Sequence, residues 1–218
     1  MRKAAGIDVS SSVVIAALAL LVAAPVQAQL FGSGKFKVEK SADRFSTDGL
    51  ATIVGKNNRV SSKSPVGGVY IGPGGIYIEP EAEIRQSDGA LVRLLFLIHN
   101  ETESDTLYGS PNRLGLLRQI TFIVDGGSPV AFPIGNADDK LSDSIQYNSI
   151  THSASSAISE RGLVQLSPEQ FRQIANARTI AVKIEGDERS VVYDERDIAK
   201  NFLANLRTFE AALPAARH

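Results

Sequence analysis

Leu166-Ser167-Pro168-Glu169-Gln170-Phe171 opens the stretch, 166–213, whose reading decides the fold. Ser167 stands where a side-chain oxygen accepts the free first-turn amides. Pro168 suits the first helical position, and Gln170 completes a reciprocal capping box. Leu166 and Phe171 take the two places of a hydrophobic staple, and Phe171, Ile174 and Ala175 make a helical stripe. Ile180, Val182 and Ile184 then alternate with Thr179, Ala181 and Lys183, the period of a strand with one buried face. Glu185-Gly186-Asp187-Glu188 turns the chain, and 190–193 returns as a strand. Asp194 or Asp197 can cap a last helix with the stripe Ile198, Phe202, Leu206, Phe209 and Leu213. The pattern predicts helices at about 167–177 and 195–213 around a β-hairpin.

Upstream, the chain reads as strands and turns. Phe36-Lys37-Val38 and residues 50–54 are strand-like, and residues 55–68 form a Lys-, Asn-, Ser- and Gly-rich loop. Val69-Tyr70-Ile71 and Ile76-Tyr77-Ile78 flank Gly72-Pro73-Gly74-Gly75, a hairpin signal, although Pro80 limits how far the second arm can pair. Residues 83–86 and 90–99 suggest another hairpin around Ser87-Asp88-Gly89. Its second arm, 91–98, is the most hydrophobic segment outside the N-terminus, which predicts a central strand. Residues 100–113 and 135–144 read as loops, 119–124 and 129–134 as strands, and 145–159 as one Ser/Thr/Ile-rich strand.

Strands joined by Gly turns, with helices only near the end, predict an α+β fold that is mainly antiparallel β. The picture is a β-sandwich-like or curled sheet of eight to ten strands, with two amphipathic helices near the C-terminus. An outer-membrane barrel is disfavoured, because an aromatic content of 6% is too low for two girdles and the last fifth is helical.

Residues 1–28 read as a secretory signal peptide. Arg2 and Lys3 start it, 13–24 are apolar, and Val26-Gln27-Ala28 is a small-residue cleavage site. The apolar run would span about 18 Å as a helix, short of a bilayer core of roughly 30 Å, so the processed chain is not expected to span a membrane. Residues 29–34 follow as a flexible leader, 35–213 as a single domain and 214–218 as a tail. The expected address is the periplasm or the exterior of a bacterial cell. Cleavage removes Arg2, Lys3 and Asp8, so the net charge goes from −1 to −2, which gives no reason to expect nucleic acid as a partner. With no cysteine, the chain has no disulfide, thiolate or Cys-ligated metal chemistry.

Candidate chemistry is sparse. His99, His152 and His218 lack metal-ligand spacing, and Ser110, Ser128 and Ser153 sit in no nucleophile motif. Asn136, Asp138, Asp139 and Asp143 carry oxygens that suit calcium. Lys140 stands where a ligand is needed, and the glycine and closing glutamate are missing, so a solvated turn is the expectation. Gly72-Pro73-Gly74-Gly75 lacks the Lys-Ser/Thr ending of a phosphate loop, and Asn100-Glu101-Thr102 matches an N-glycosylation triplet. Arg93, inside the apolar run, must pair with a carboxylate such as Glu83 or reach solvent.

No catalytic residue and no cofactor is assigned by this pattern. What remains is a non-catalytic interaction or ligand-binding module, whose partner is another envelope protein or a small ligand. Tyr70, Tyr77 and Tyr108 are its candidate contact residues. The alternatives are a hydrolase of envelope material and a self-assembling structural subunit.

Overall fold

The computed structural model describes residues 34–42, 49–68 and 74–214. The expected signal peptide, Asp43-Arg44-Phe45, Val69-Tyr70-Ile71 and His218 lie outside the described residues. Within them the strands are β1 (Lys37–Ala42), β2 (Leu50–Lys56), β3 (Gly75–Arg85), β4 (Leu91–Asp105), β5 (Leu117–Val124) and β6 (Val130–Pro133). They continue as β7 (Gly135–Asn148), β8 (Ser153–Leu166), β9 (Ile180–Gly186) and β10 (Ser190–Tyr193), with helices α1 (Pro168–Ala175) and α2 (Phe202–Ala212). Two antiparallel sheets result, one in the order β1-β2-β3-β4-β8-β7 and one in the order β10-β9-β5-β6. The fold is α+β and mainly antiparallel.

β4 takes a central place, between β3 and β8, because its apolar run can be buried. Leu94, Phe96 and Ile98 face the core at 2% exposure or less, and Leu95 on the other face is only 6% exposed. Arg93, near the start of the strand, forms the expected two-pronged pair with Glu83 at 2.9 and 2.5 Å. Between the sheets, neighbouring aromatic rings run from Phe132 through Phe122, Phe96 and Phe171 to Phe209, with centroids 5.6–6.1 Å apart. Each such side chain contributes about 1.5–3 kcal/mol on full burial.

The α1 capping box forms as read. Ser167 Oγ accepts from Gln170 N, Gln170 Oε1 accepts from Ser167 N, and Phe171, Ile174 and Ala175 are buried. The last helix is shorter than the expected 195–213. A 3-10 turn at Glu195–Asp197 precedes it, and Ile198 is extended. The backbone here is tied to a distant segment. Ala199 N donates to Val60 O at 2.7 Å, Ser61 Oγ to Asp197 O at 2.6 Å, and Lys63 Nζ meets Asp197 Oδ2 at 2.8 Å. Those bonds hold 197–199 out of helical geometry.

Four other expectations are corrected. The β2–β3 ladder stops at Val54–Glu81, just before Pro80, which has no N–H to give. Beyond it, Ile76 and Ile78 bond to Val60 and Asn58 on one side and pair with β4 on the other. The second arm of the expected 69–78 hairpin is thus flanked by different neighbours. Residues 100–105, read as loop, continue β4, since Asn100 and Thr102 face inward and are buried. Residues 135–144, also read as loop, belong to β7. The single strand expected at 145–159 is instead the end of β7, a turn, and the start of β8. Their alternation is polar, so it carries no hydrophobic period.

β6 and β7 belong to different sheets and are joined through Ile134 alone. A Cβ on Gly162 would lie 2.2 Å from Ile134 Cγ2, so glycine is what lets the crossing chain lie against β8.

Candidate functional site

The β4–β8 ladder places two polar clusters back to back. His99 is paired with Arg161 on the face away from the small sheet, and Asn100 with Glu160 on the face towards it. Successive strand residues point to opposite faces, so one step along each strand separates two different environments.

On the inner face Glu160 is fully buried. Leu114 N donates to both of its oxygens, at 2.9 and 3.0 Å, and Gly115 N donates to Oε1 at 2.5 Å. Asn100 Nδ2 donates to Oε2 at 2.6 Å and also to Asn112 O at 2.9 Å. Gly115 has φ +80°, a conformation that glycine adopts without strain. Arg113 covers the cluster, reaching Asp139 and, at 2.8 Å, Glu188. Burial pushes the Glu160 carboxyl above its ordinary pKa, against the opposing pull of Asn100 and the two amides. This carboxylate anchors the segment leading from the large sheet to the small one.

On the outer face, His99 Nδ1 lies 3.1 Å from Glu101 and Nε2 lies 3.5 Å from Glu79. Tyr77 stacks on the ring with centroids 4.8 Å apart. Ser159 Oγ donates to Glu101 at 2.9 Å, and Arg161 lies 3.6 Å from it. Burial opposes the imidazolium, but the hydrogen bonds to Glu101 and Glu79 outweigh it, so the His99 pKa is raised. Burial likewise works against the Glu101 carboxylate and is outweighed by His99, which lowers the Glu101 pKa. Both ring nitrogens face carboxylates, so neither is turned outward as a proton acceptor. The two carboxylates bracket the ring rather than converge on one point, and no metal-holding group of three occurs among the described residues.

The expected acidic loop cluster lies on β7, where it does not converge. Asp138 pairs with Lys140 at 2.7 Å, Asp139 with Arg113, and Asp143 is exposed. His152 is far from His99, in the β7–β8 turn, where its Nδ1 lies 3.1 Å from Tyr147 OH. Of the three tyrosines named as contacts, Tyr70 lies outside the described residues. Tyr77 is packed on His99 at 5% exposure, so it offers no surface. Tyr108 is 79% exposed at a tight turn closed by Asp105 and Gly109. Asn100 is fully buried, which rules out glycosylation of the folded chain. Sequence reasoning missed Glu160. The signal was its inward place in the alternation Ile158, Glu160, Gly162, Val164, Leu166.

A third feature is a surface. Leu141, Ile145 and Tyr147 pair across β7–β8 with Ile158, Ser156 and Ala154, so they share the face that carries the core further along β8. Here that face is uncovered: Leu141, Ile145 and Tyr147 are 62, 71 and 65% exposed. Ile150 in the turn and Tyr108 at the adjoining turn are also exposed. Residues 144–159 contain no Asp, Glu, Lys or Arg, and β7 is an edge strand.

No protein-family model matches this sequence, and comparison with curated proteins gives no match.

Proposed function

We propose that this protein is exported and acts as a non-catalytic binding module that takes another envelope protein on the β7–β8 arm. The observation that carries the reading is the uncharged arm itself, with Ile145 and Tyr147 exposed on an open strand edge. Edge strands are ordinarily guarded by charge or by bulges. β7 has both over 135–144, with Asp138, Asp139, Lys140, Asp143 and two register shifts, but residues 145–148 pair regularly and carry no charge. A partner segment extended along 145–148 would gain main-chain hydrogen bonds there, with Ile145 and Tyr147 supplying apolar contacts on one face. The signal-peptide pattern at 1–28 supports the export part of the reading.

The test is a photo-crosslinker at position 147 in intact cells, with a control at Arg85, at the far end of β3. A discrete adduct to an envelope protein, absent from the control and lost with Ile145→Lys, is the expected result. A bare monomer, or an adduct of twice the protein's own mass, overturns the reading; the second outcome would make the protein a self-assembling subunit. Terminal sequencing of the exported protein should begin at Gln29.

A further inference from the structure

At the other end of β4, roughly 40 Å from the arm by strand rise, lies a cavity of about 480 Å³. The β3–β4 turn, the start of α1 and the end of α2 border it, and it opens to solvent. Leu91, Leu94, Phe171 and Leu213 are its main apolar walls, and Leu94 and Phe171 are themselves 2 and 1% exposed. The Phe171 ring is braced by Phe96 at 5.6 Å and Phe209 at 5.8 Å, so the wall is rigid before anything binds. Volume, apolar lining and a few polar groups together are the ordinary attributes of a small-molecule site.

Three charged side chains line the cavity, namely Asp88, Arg172 and Glu210, and their partners differ. Asp88 is held by Arg85 at 2.9 Å and by Ala90 N at 2.9 Å. Glu210 accepts from Asn176 Nδ2 at 3.1 Å. Arg172 has carboxylates only at 3.7 Å (Glu169) and 3.8 Å (Glu210), beyond hydrogen-bond length. The guanidinium, with its side chain 53% exposed, therefore stands at the rim of an apolar cavity with hydrated donors that an incoming acceptor can take up.

We propose that this cavity binds a small carboxylic acid with an apolar body, its carboxylate on Arg172 and its body against Leu94 and Phe171. A guanidinium presents parallel N–H groups that fit a carboxylate in a two-pronged, charge-assisted contact. A cationic head would instead face Arg172 as a like charge; both Asp88 oxygens are already engaged, and the one open Glu210 oxygen, Oε1, lies 3.8 Å from that same guanidinium. The site is independent of the β7–β8 arm, and either can fail without the other.

The test uses decanoate and decanol, which share a body and differ in the head. The chain has no tryptophan, so Leu213→Trp places a single indole reporter in the cavity wall. Decanoate should change its emission saturably, and adding Arg172→Gln should weaken that binding roughly tenfold, as loss of a charge-assisted hydrogen bond does. Decanol binding should be the same with and without Arg172. Calorimetry with the unmodified protein should give one decanoate per chain, and Ala90→Phe, which puts a ring into the lining, should weaken it. No saturable decanoate signal, or equal decanoate affinity with and without Arg172, overturns the proposal. Unchanged binding in a folded Ala90→Phe protein does so as well.

Discussion

Asn100 and Glu160 face each other across β4 and β8 one residue after His99 and Arg161 do, and strand parity alone puts them on opposite faces. Both pairs belong to networks built around a carboxylate, yet the physics differs. The inner cluster is sealed, its carboxylate is held by two backbone amides and a carboxamide, and its worth lies in donors that have nowhere else to go. The outer cluster has side-chain exposures of 12–22% at His99, Glu79 and Glu101, so it is only partly withdrawn from solvent, and its strength depends on protonation. A polar group on this fold is an anchor on one face and a titrating cluster on the other.

Removing the inner carboxylate should have the largest effect. Glu160→Ala strands the amides of Leu114 and Gly115 and the Asn100 side chain, for a loss of about 3 kcal/mol or more in urea unfolding. Glu160→Gln should cost less, since one oxygen still accepts, but its new amide group faces the donor of Asn100. If the two variants cost the same, the charge rather than the acceptors holds the segment. Next in size is Gly162→Ala on the same inner face. Its Cβ would collide with Ile134 where the chain crosses between sheets, for about 1–3 kcal/mol by the same measurement.

The outer cluster should cost less and should show its cost through pH. The folded His99 pKa is raised above its ordinary 6.5, so its contribution is full below that value and fades as pH rises through the raised one. The folded Glu101 pKa is lowered from 4.5, so its contribution is present above 4.5 and is lost as pH falls through the lowered value. The pair is therefore most stabilising between about 4.5 and 6.5. His99→Gln should lower stability by about 1 kcal/mol at pH 5.5, with a gap that narrows towards pH 9. Tyr77, Ser159 and Arg161 also face the site and remain in the variant. A gap constant across pH would mean that the Tyr77 stack, not the charges, is what the ring contributes.

The difference between the faces also explains what could be read from the chain. α1, β9 and β10 were legible because each is specified by neighbours in sequence: the Ser167–Gln170 box, the Ile180, Val182, Ile184 alternation and the Gly186 turn. β7 and the far half of β4 were not. The inward residues of β4 there are Asn100 and Thr102, and β7 pairs with Ser156 as well as Ile158 of β8, so no hydrophobic period marks them. The early end of the last helix depends on Val60, Ser61 and Lys63, more than 130 residues away. Among candidate sites, Asp138, Asp139 and Asp143 drew attention as an acidic run, although a strand sends neighbours to opposite faces. The Arg93–Glu83 pair was anticipated, since one charge in an apolar run demands a partner. Glu160 posed the same demand, hidden by its polar neighbours.

The smallest effect on stability should come from the continuation of the inner face onto the arm. Ile158 and Leu141 are directly paired there, yet one is 4% and the other 62% exposed. Burial rather than residue type sets the cost of truncation, so Ile158→Ala should behave as a core change of about 2 kcal/mol or more. Ile145→Lys with Tyr147→Ser should change stability by less than about 0.5 kcal/mol, because those side chains are already in water. Ile145→Lys alone, which leaves position 147 to carry the crosslinker, should remove the crosslinked adduct of the proposed partner. If the double replacement instead destabilises the isolated chain by several times that amount, Ile145 and Tyr147 are holding the fold together, and the arm is a covered surface of the protein rather than one left open for a partner.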